Sequence, residues 1–148
     1  MPSSLSLVRR RREPGTGRTP RESLDFVVDG QSLLDRLGGP DLVGCLGWGH
    51  GDLERAAVDR LLLRVSSPLP TGRVPLYVCG ECGDLGCGAI TARIERVADA
   101  FVWSDFGMEN DYEGEITRYP AWSHVGPFRF HKQEYWQALS VCWRGERA

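Results

Sequence analysis

The sequence predicts an α+β fold: a small antiparallel sheet, a meander over about 74–106 joined by a strand at about 26–28, with helices packed on one face. Three observations lead there. Residues 89–97 alternate with the period of a strand, Ile90, Ala92, Ile94 and Val97 apolar against Thr91, Arg93, Glu95 and Arg96. The runs 74–78 and 100–106 on either side are β-branched and aromatic, and close enough to pair with it. Leu53, Ala56, Ala57, Arg60 and Leu61 fall instead at helical spacing, as do Tyr135, Trp136, Leu139, Cys142 and Trp143.

Residues 1–22 are rich in Ser, Arg, Pro and Gly without periodicity, so they are expected to be a disordered, dispensable basic tail ahead of one α+β domain at 23–148. Arg9–Arg12 then either touch an anionic partner or are simply solvated. Phe26-Val27-Val28 is a short strand ended by Asp29-Gly30, and Ser32 caps a helical turn that Gly38-Gly39-Pro40 stops. Four glycines between 44 and 51 imply a loop, after which Asp52 caps the next helix. Pro68 and Pro70 mark 66–72 as a linker, and Pro75 favours the start of a strand or an edge. The break in alternation at Arg96 implies a bulge, and Ala98-Asp99 a turn. Residues 107–127 read as a long polar loop, and 132–143 as a closing helix with His131 at its cap.

Charge is unevenly placed. Residues 1–22 hold six arginines against Glu13 and Glu22, whereas the remainder holds twelve basic and eighteen acidic side chains, a net of −6. An acidic body argues against nucleic acid, whose binding rests on neutralising phosphates. No run approaches the roughly 18 apolar residues of a membrane helix. The arginines follow the short apolar start instead of preceding a longer one, so no export signal is read and a cytoplasmic location is expected. Five cysteines in such a chain point to thiols or metal ligands more than to a disulfide framework.

Three of those cysteines lie in Cys79-Gly80-Glu81-Cys82-Gly83-Asp84-Leu85-Gly86-Cys87-Gly88, between two strands. Cys-Gly-Glu-Cys-Gly resembles a zinc knuckle: the two-residue gap turns both sulfurs inward, and the glycine tolerates a positive φ. On that reading Cys79, Cys82 and Cys87 are the candidate metal ligands and zinc the candidate cofactor, its fourth ligand drawn from Cys45, Cys142, His50, His124, His131 or Asp84. A redox pair, Cys79 and Cys82, is the second reading, although no helix pattern follows to lower a thiol pKa. The third is a glycine-rich hairpin whose cysteines are inert small hydrophobes. Glu81 and Asp84 are the only charges close in sequence, so slow alkylation is expected, with no thiol titrating well below the reference value of about 8.5.

Cys82–Ala89 (Cys-Gly-Asp-x-Gly-Cys-Gly-Ala), Trp103–Phe106 (Trp-Ser-Asp-Phe) and Gly126–Phe130 (Gly-Pro-Phe-x-Phe) together resemble a group of small bacterial proteins of unsettled function, over about residues 24–140. Some members carry an oxidoreductase label. The resemblance implies a shared fold and a recurring cysteine cluster, and it brings no catalytic residue.

Asp105, Glu109, Asp111, Glu113 and Glu115 put five carboxylates in eleven residues, which would suit a hard cation, a basic partner or a solvated loop. Among five tryptophans, Trp48 and Trp122 fall in loops and are the candidates for an exposed binding surface. No Gly-x-Gly-x-x-Gly or Gly-x-Ser-x-Gly motif is present, so no catalytic residue is assigned. The expected function is a non-catalytic protein-binding or accessory domain of unidentified partner. The alternatives are a thiol-based oxidoreductase using Cys79 and Cys82, and a zinc-stabilised structural module.

Overall fold

Two antiparallel sheets carry the chain. The first holds β1 (Leu5–Arg12), β2 (Arg21–Val28) and β3 (Gln31–Ser32); the second holds β4 (Leu42–Gly44), β5 (Val74–Cys79), β6 (Ala89–Val97), β7 (Ala100–Glu109) and β8 (Phe128–His131), each beside the next. Among the described residues three α-helices accompany them: α1 (Leu33–Arg36), α2 (Gly51–Leu61) and α3 (Lys132–Leu139). The α+β class with antiparallel sheets is therefore as the sequence predicts. The computed structural model describes residues 2–49 and 51–142, so His50 and Trp143 lie outside the described residues.

The first correction concerns residues 1–22, which are not a disordered tail. Leu5–Arg12 pairs residue for residue with Arg21–Val28, Leu5 opposite Val28 and Arg12 opposite Arg21. The strand pattern is hidden because arginines occupy the inward positions after Leu5 and Leu7. Arg12 is buried, and Arg10 is half-buried against Asp25 and Asp35. Long arginine stems cover apolar surface while their heads find carboxylates.

The second correction concerns residues 26–28, which join the first sheet rather than the 74–106 sheet. Contact between the sheets is made elsewhere. Leu24 N–H donates to Leu46 O at 2.8 Å and Ser3 N–H to Arg129 O at 2.7 Å. Gly44 lets the sheets meet: a Cβ there would lie 1.9 Å from the Leu24 carbonyl oxygen, closer than any side chain tolerates.

The core fills the space between them. Phe26 meets Tyr77 and Trp103 edge-on, with ring centroids 5.6 and 5.4 Å apart. Trp103 Nε1 donates to the Tyr135 hydroxyl, which donates to Leu61 O at 2.6 Å, so α3 is tied to α2 through satisfied buried groups. His131 caps α3 as expected, Nδ1 accepting from Gln133 N–H at 3.3 Å. Smaller departures concern boundaries. β5 is a central strand and not an edge, so of the two expected placements Pro75 takes the strand start, beside an irregularity between Pro75 and Tyr77. The irregularity in β6 falls between Thr91 and Arg93 instead of at Arg96. The helix expected to be capped by Asp52 already includes Gly51 and Asp52. Leu42–Gly44 is a strand leading into the glycine loop, β7 runs on to Glu109 within the stretch read as loop, and Phe128–His131 is a further strand just after that stretch.

Candidate metal centre

β5 ends on Cys79 and β6 begins at Ala89, so the cysteine run is the connection between two paired strands. Its backbone is tightly specified. Gly83 N–H donates to Cys79 O at 2.8 Å, and Gly83 has a φ of +71°, the conformation the knuckle reading requires of it. Asp84 then accepts from Gly86 N–H at 2.8 Å and caps a 3₁₀ turn, Leu85–Cys87. That turn returns the chain towards the knuckle and sets Cys87 Sγ 3.6 Å from Cys82 Sγ. The Cys79, Cys82 and Cys87 sulfurs all lie within 4.8 Å of one another. Tetrahedral zinc with bonds of about 2.3 Å holds its sulfurs about 3.8 Å apart, so the three need only small movements to share an ion.

All three are free thiols, Cys79 half-buried and the others exposed. The backbone N–H of Cys82, with that of Glu81, favours a thiolate on Cys79 and lowers its pKa from the ordinary thiol value against the opposing effect of burial. Cys87 moves the other way, pushed up to about 11 by the neighbouring Cys82 and Cys79 sulfurs. Three thiols this close compete for negative charge, and a cation would relieve that competition. A lowering at Cys79 runs against what Glu81 and Asp84 alone would produce. The cause is backbone N–H groups of the turn, which sequence charge alone does not reveal.

The knuckle is also gripped from outside by the N-terminal hairpin. Glu81, between Cys79 and Cys82, pairs with Arg12 and accepts from the Thr19 N–H at 2.9 Å and the Thr19 hydroxyl at 2.8 Å. Arg21 donates to Gly80 O at 3.1 Å and Glu81 O at 3.2 Å, and its guanidinium stacks 4.3 Å from the Trp48 ring centroid. Arg12 also bridges to Asp41, which Arg18 shares. Sequence reasoning singled out Arg9–Arg12 but not the partners of these arginines, which lie as many as 69 residues away.

The junction gives a pH prediction. Arg12, then Thr19, holds Glu81 at about 2 against an ordinary 4.5, while Arg12 and Arg18 hold Asp41 at about 2 against 3.8. A depressed folded-state pKa adds stability above the unfolded value and loses it as pH falls through the folded one. The melting temperature should therefore fall between about pH 4.5 and 2, and Glu81→Gln should flatten that fall while lowering stability at pH 7. Melting curves taken across this range check it; identical acid limbs for both proteins would show that the junction contributes nothing.

The remaining candidates scatter. Among the described residues no further Cys, His, Asp or Glu joins the three-sulfur group. Cys45 is pushed up to about 12, chiefly by burial, and Cys142 is buried in the core. His131 is occupied as a helix cap, and Asp84 caps the 3₁₀ turn. The acidic stretch is no cation loop. Asp105 and Glu109 belong to β7 and pair with Arg73, with Arg118 also on Asp105, leaving Asp111, Glu113 and Glu115 exposed. Trp122 is buried with Nε1 donating to Leu37 O, and Trp48 is half-buried; the exposed tryptophan among the described residues is Trp136. No helix among the described residues is long and apolar enough to cross a membrane. Comparison with protein-family models, curated proteins and solved structures finds no match.

Proposed function

We propose that this chain is a non-catalytic accessory domain organised about a soft-metal centre, in which the thiolates of Cys79, Cys82 and Cys87 hold zinc. The observation that carries the reading is the convergence of three sulfurs within 4.8 Å on a turn whose backbone is already fixed. Thiolate donors select zinc and other soft ions over magnesium or calcium. Among the described residues three ligands converge, which leaves one position of a tetrahedral ion for a further donor, the arrangement of a site that binds something rather than one that only staples a fold. This chain's part is to supply negative charge and fixed geometry, with Glu81 and the hairpin holding the turn in place.

The test is ligand by ligand. Apparent zinc binding of about 10–16 kcal/mol spread over four donors puts each near 3 kcal/mol, roughly a hundredfold in affinity. Cys79→Ser, Cys82→Ser and Cys87→Ser should each weaken zinc by about that factor in chelator competition, whereas Cys142→Ser should not. Serine variants that hold zinc as tightly as the parent would remove the reading.

One observation favours a thiol redox role instead, the 3.6 Å between Cys82 and Cys87. It ranks second for physical reasons. The close pair is not the Cys79–Cys82 motif, no α-helix starts there, and Arg12 and Arg21 are committed to Glu81, Asp41 and backbone carbonyls. Peptide mapping after equilibration in a glutathione buffer separates the two. A Cys82–Cys87 disulfide that forms in the metal-loaded protein and expels the metal would put the redox reading first.

A further inference from the structure

Cys82 belongs to two features at once. Its sulfur is one of the three that converge, and its side also lines a cavity of about 140 Å³ that reaches back to Cys45 between α2 and β5. The walls are mainly apolar, with Trp48, Leu53, Ala57, Val78 and Leu85 among them. Two charged side chains also line it. Glu54 accepts from Gly47 N–H at 2.5 Å, which fixes the neighbouring loop. Arg60 is half-buried and has no hydrogen-bond or ion-pair partner among the described residues. Most other inward-turned arginines of this chain, Arg10, Arg12 and Arg73, sit against carboxylates. A half-buried arginine without one is a ready hydrogen-bond donor for a ligand anion.

We infer that this cavity is a ligand site for a small mercapto-carboxylic acid, its sulfur directed to the open position of the Cys79–Cys82–Cys87 metal and its carboxylate to Arg60. The inference rests on the metal reading above and adds the ligand class. Size limits the ligand first: about 140 Å³ is well below the roughly 300–1,000 Å³ of sites for drug-sized molecules, so only a few carbons fit. Donor chemistry limits it next. A metal selected by three thiolates takes sulfur as its fourth donor in preference to oxygen. The incoming thiol binds as the thiolate and gives its proton to solvent, which adds a negative charge to a site already net anionic. Arg60 is the cation on the same cavity wall that offsets it, and its forked donors suit a carboxylate.

Cobalt(II) is the probe, because its visible bands report coordination number and gain thiolate charge transfer with each new Co–S bond. Metal loading is read before any thiol is added, so failure of cobalt to bind identifies failure of the metal reading, and it sinks this inference with it. With cobalt bound, 3-mercaptopropionate should change the bands saturably while the metal stays with the protein. Ethanethiol should need roughly ten times the concentration, the worth of one charge-assisted contact, and propionate should add no charge-transfer band. Arg60→Gln should weaken 3-mercaptopropionate by the same rough tenfold and leave ethanethiol unchanged; unchanged cobalt loading and ethanethiol binding in the same variant show that it is folded. The inference is overturned, with the metal reading intact, by bands that 3-mercaptopropionate does not move, by removal of cobalt from the protein, or by Arg60→Gln binding as tightly as the parent.

Discussion

A chain beginning at residue 13 is expected to show no cooperative thermal unfolding. Deleting Met1–Arg12 removes the whole of β1, and with it eight residue pairings to β2. Leu5 leaves the core, worth about 2 kcal/mol by the area it buries. The larger loss is electrostatic. Asp25 is buried, accepting from the Tyr77 hydroxyl at 2.5 Å and the Ser32 hydroxyl at 2.6 Å, and Arg10 is its cation at 3.1 Å. Removing one partner of a buried ion pair costs about 3–5 kcal/mol, although the half-exposure of Arg10 places this pair at the lower end. Arg12 goes too, freeing Glu81 and Asp41. Together these approach the roughly 5–15 kcal/mol of a whole domain. Circular dichroism on heating decides it: a sharp transition within a few degrees of the full chain would mean that β1 is an ornament.

The second large effect is expected at Arg73, which nothing in the sequence marks. Arg73 is buried; its Nε donates to Thr91 Oγ1 and to Glu109 Oε2, both at 3.0 Å, and its Nη groups reach Asp105 and the Thr91 carbonyl. Glu109 has no exposed side-chain surface, and its other contacts are the Thr71 and Thr91 hydroxyls at 2.6 Å. Arg73→Met therefore strands a carboxylate that hydroxyls alone must hold, a loss of about 3–5 kcal/mol. Urea denaturation should show the midpoint falling sharply, with the double variant Arg73→Met/Glu109→Gln recovering part of the loss because no charge is left buried. A single variant within about 1 kcal/mol of the parent would show that Glu109 is solvated or neutral in the fold.

What could be read from the sequence, and what could not, follows from how local each signal is. The alternation of Ile90, Ala92 and Ile94 is a property of nine consecutive residues, and β6 covers Ala89–Val97 as expected. Ser32 and His131 act as caps because capping needs only a side chain and a backbone N–H two or three residues on. The Cys-x-x-Cys-Gly turn was legible for the same reason, and Gly83 has the positive φ it implies. β1 was not legible, since Arg10 and Arg12 look like solvated charge until Asp25, Asp41 and Glu81 come beside them. The same holds for the acidic stretch, where Glu109 looks exposed until Arg73, 36 residues earlier, covers it. Charges whose partners are distant in sequence are where one-dimensional reading fails here. Arg60 is the converse, a helical position of no apparent consequence that proves to line a cavity.

The central claim is that Cys79, Cys82 and Cys87 form one metal centre, and one titration tests it most directly. Protein purified without added metal or a histidine tag is assayed for bound metal, and its thiols are then counted with a chromogenic disulfide before and after a strong chelator. The account predicts close to one equivalent of zinc per chain and three thiols that become reactive in step with its release, assigned by mass spectrometry to Cys79, Cys82 and Cys87. Metal below about one tenth of an equivalent, with Cys82 and Cys87 reacting freely before any chelator is added, would contradict it, because sites built of several thiolates hold zinc tightly.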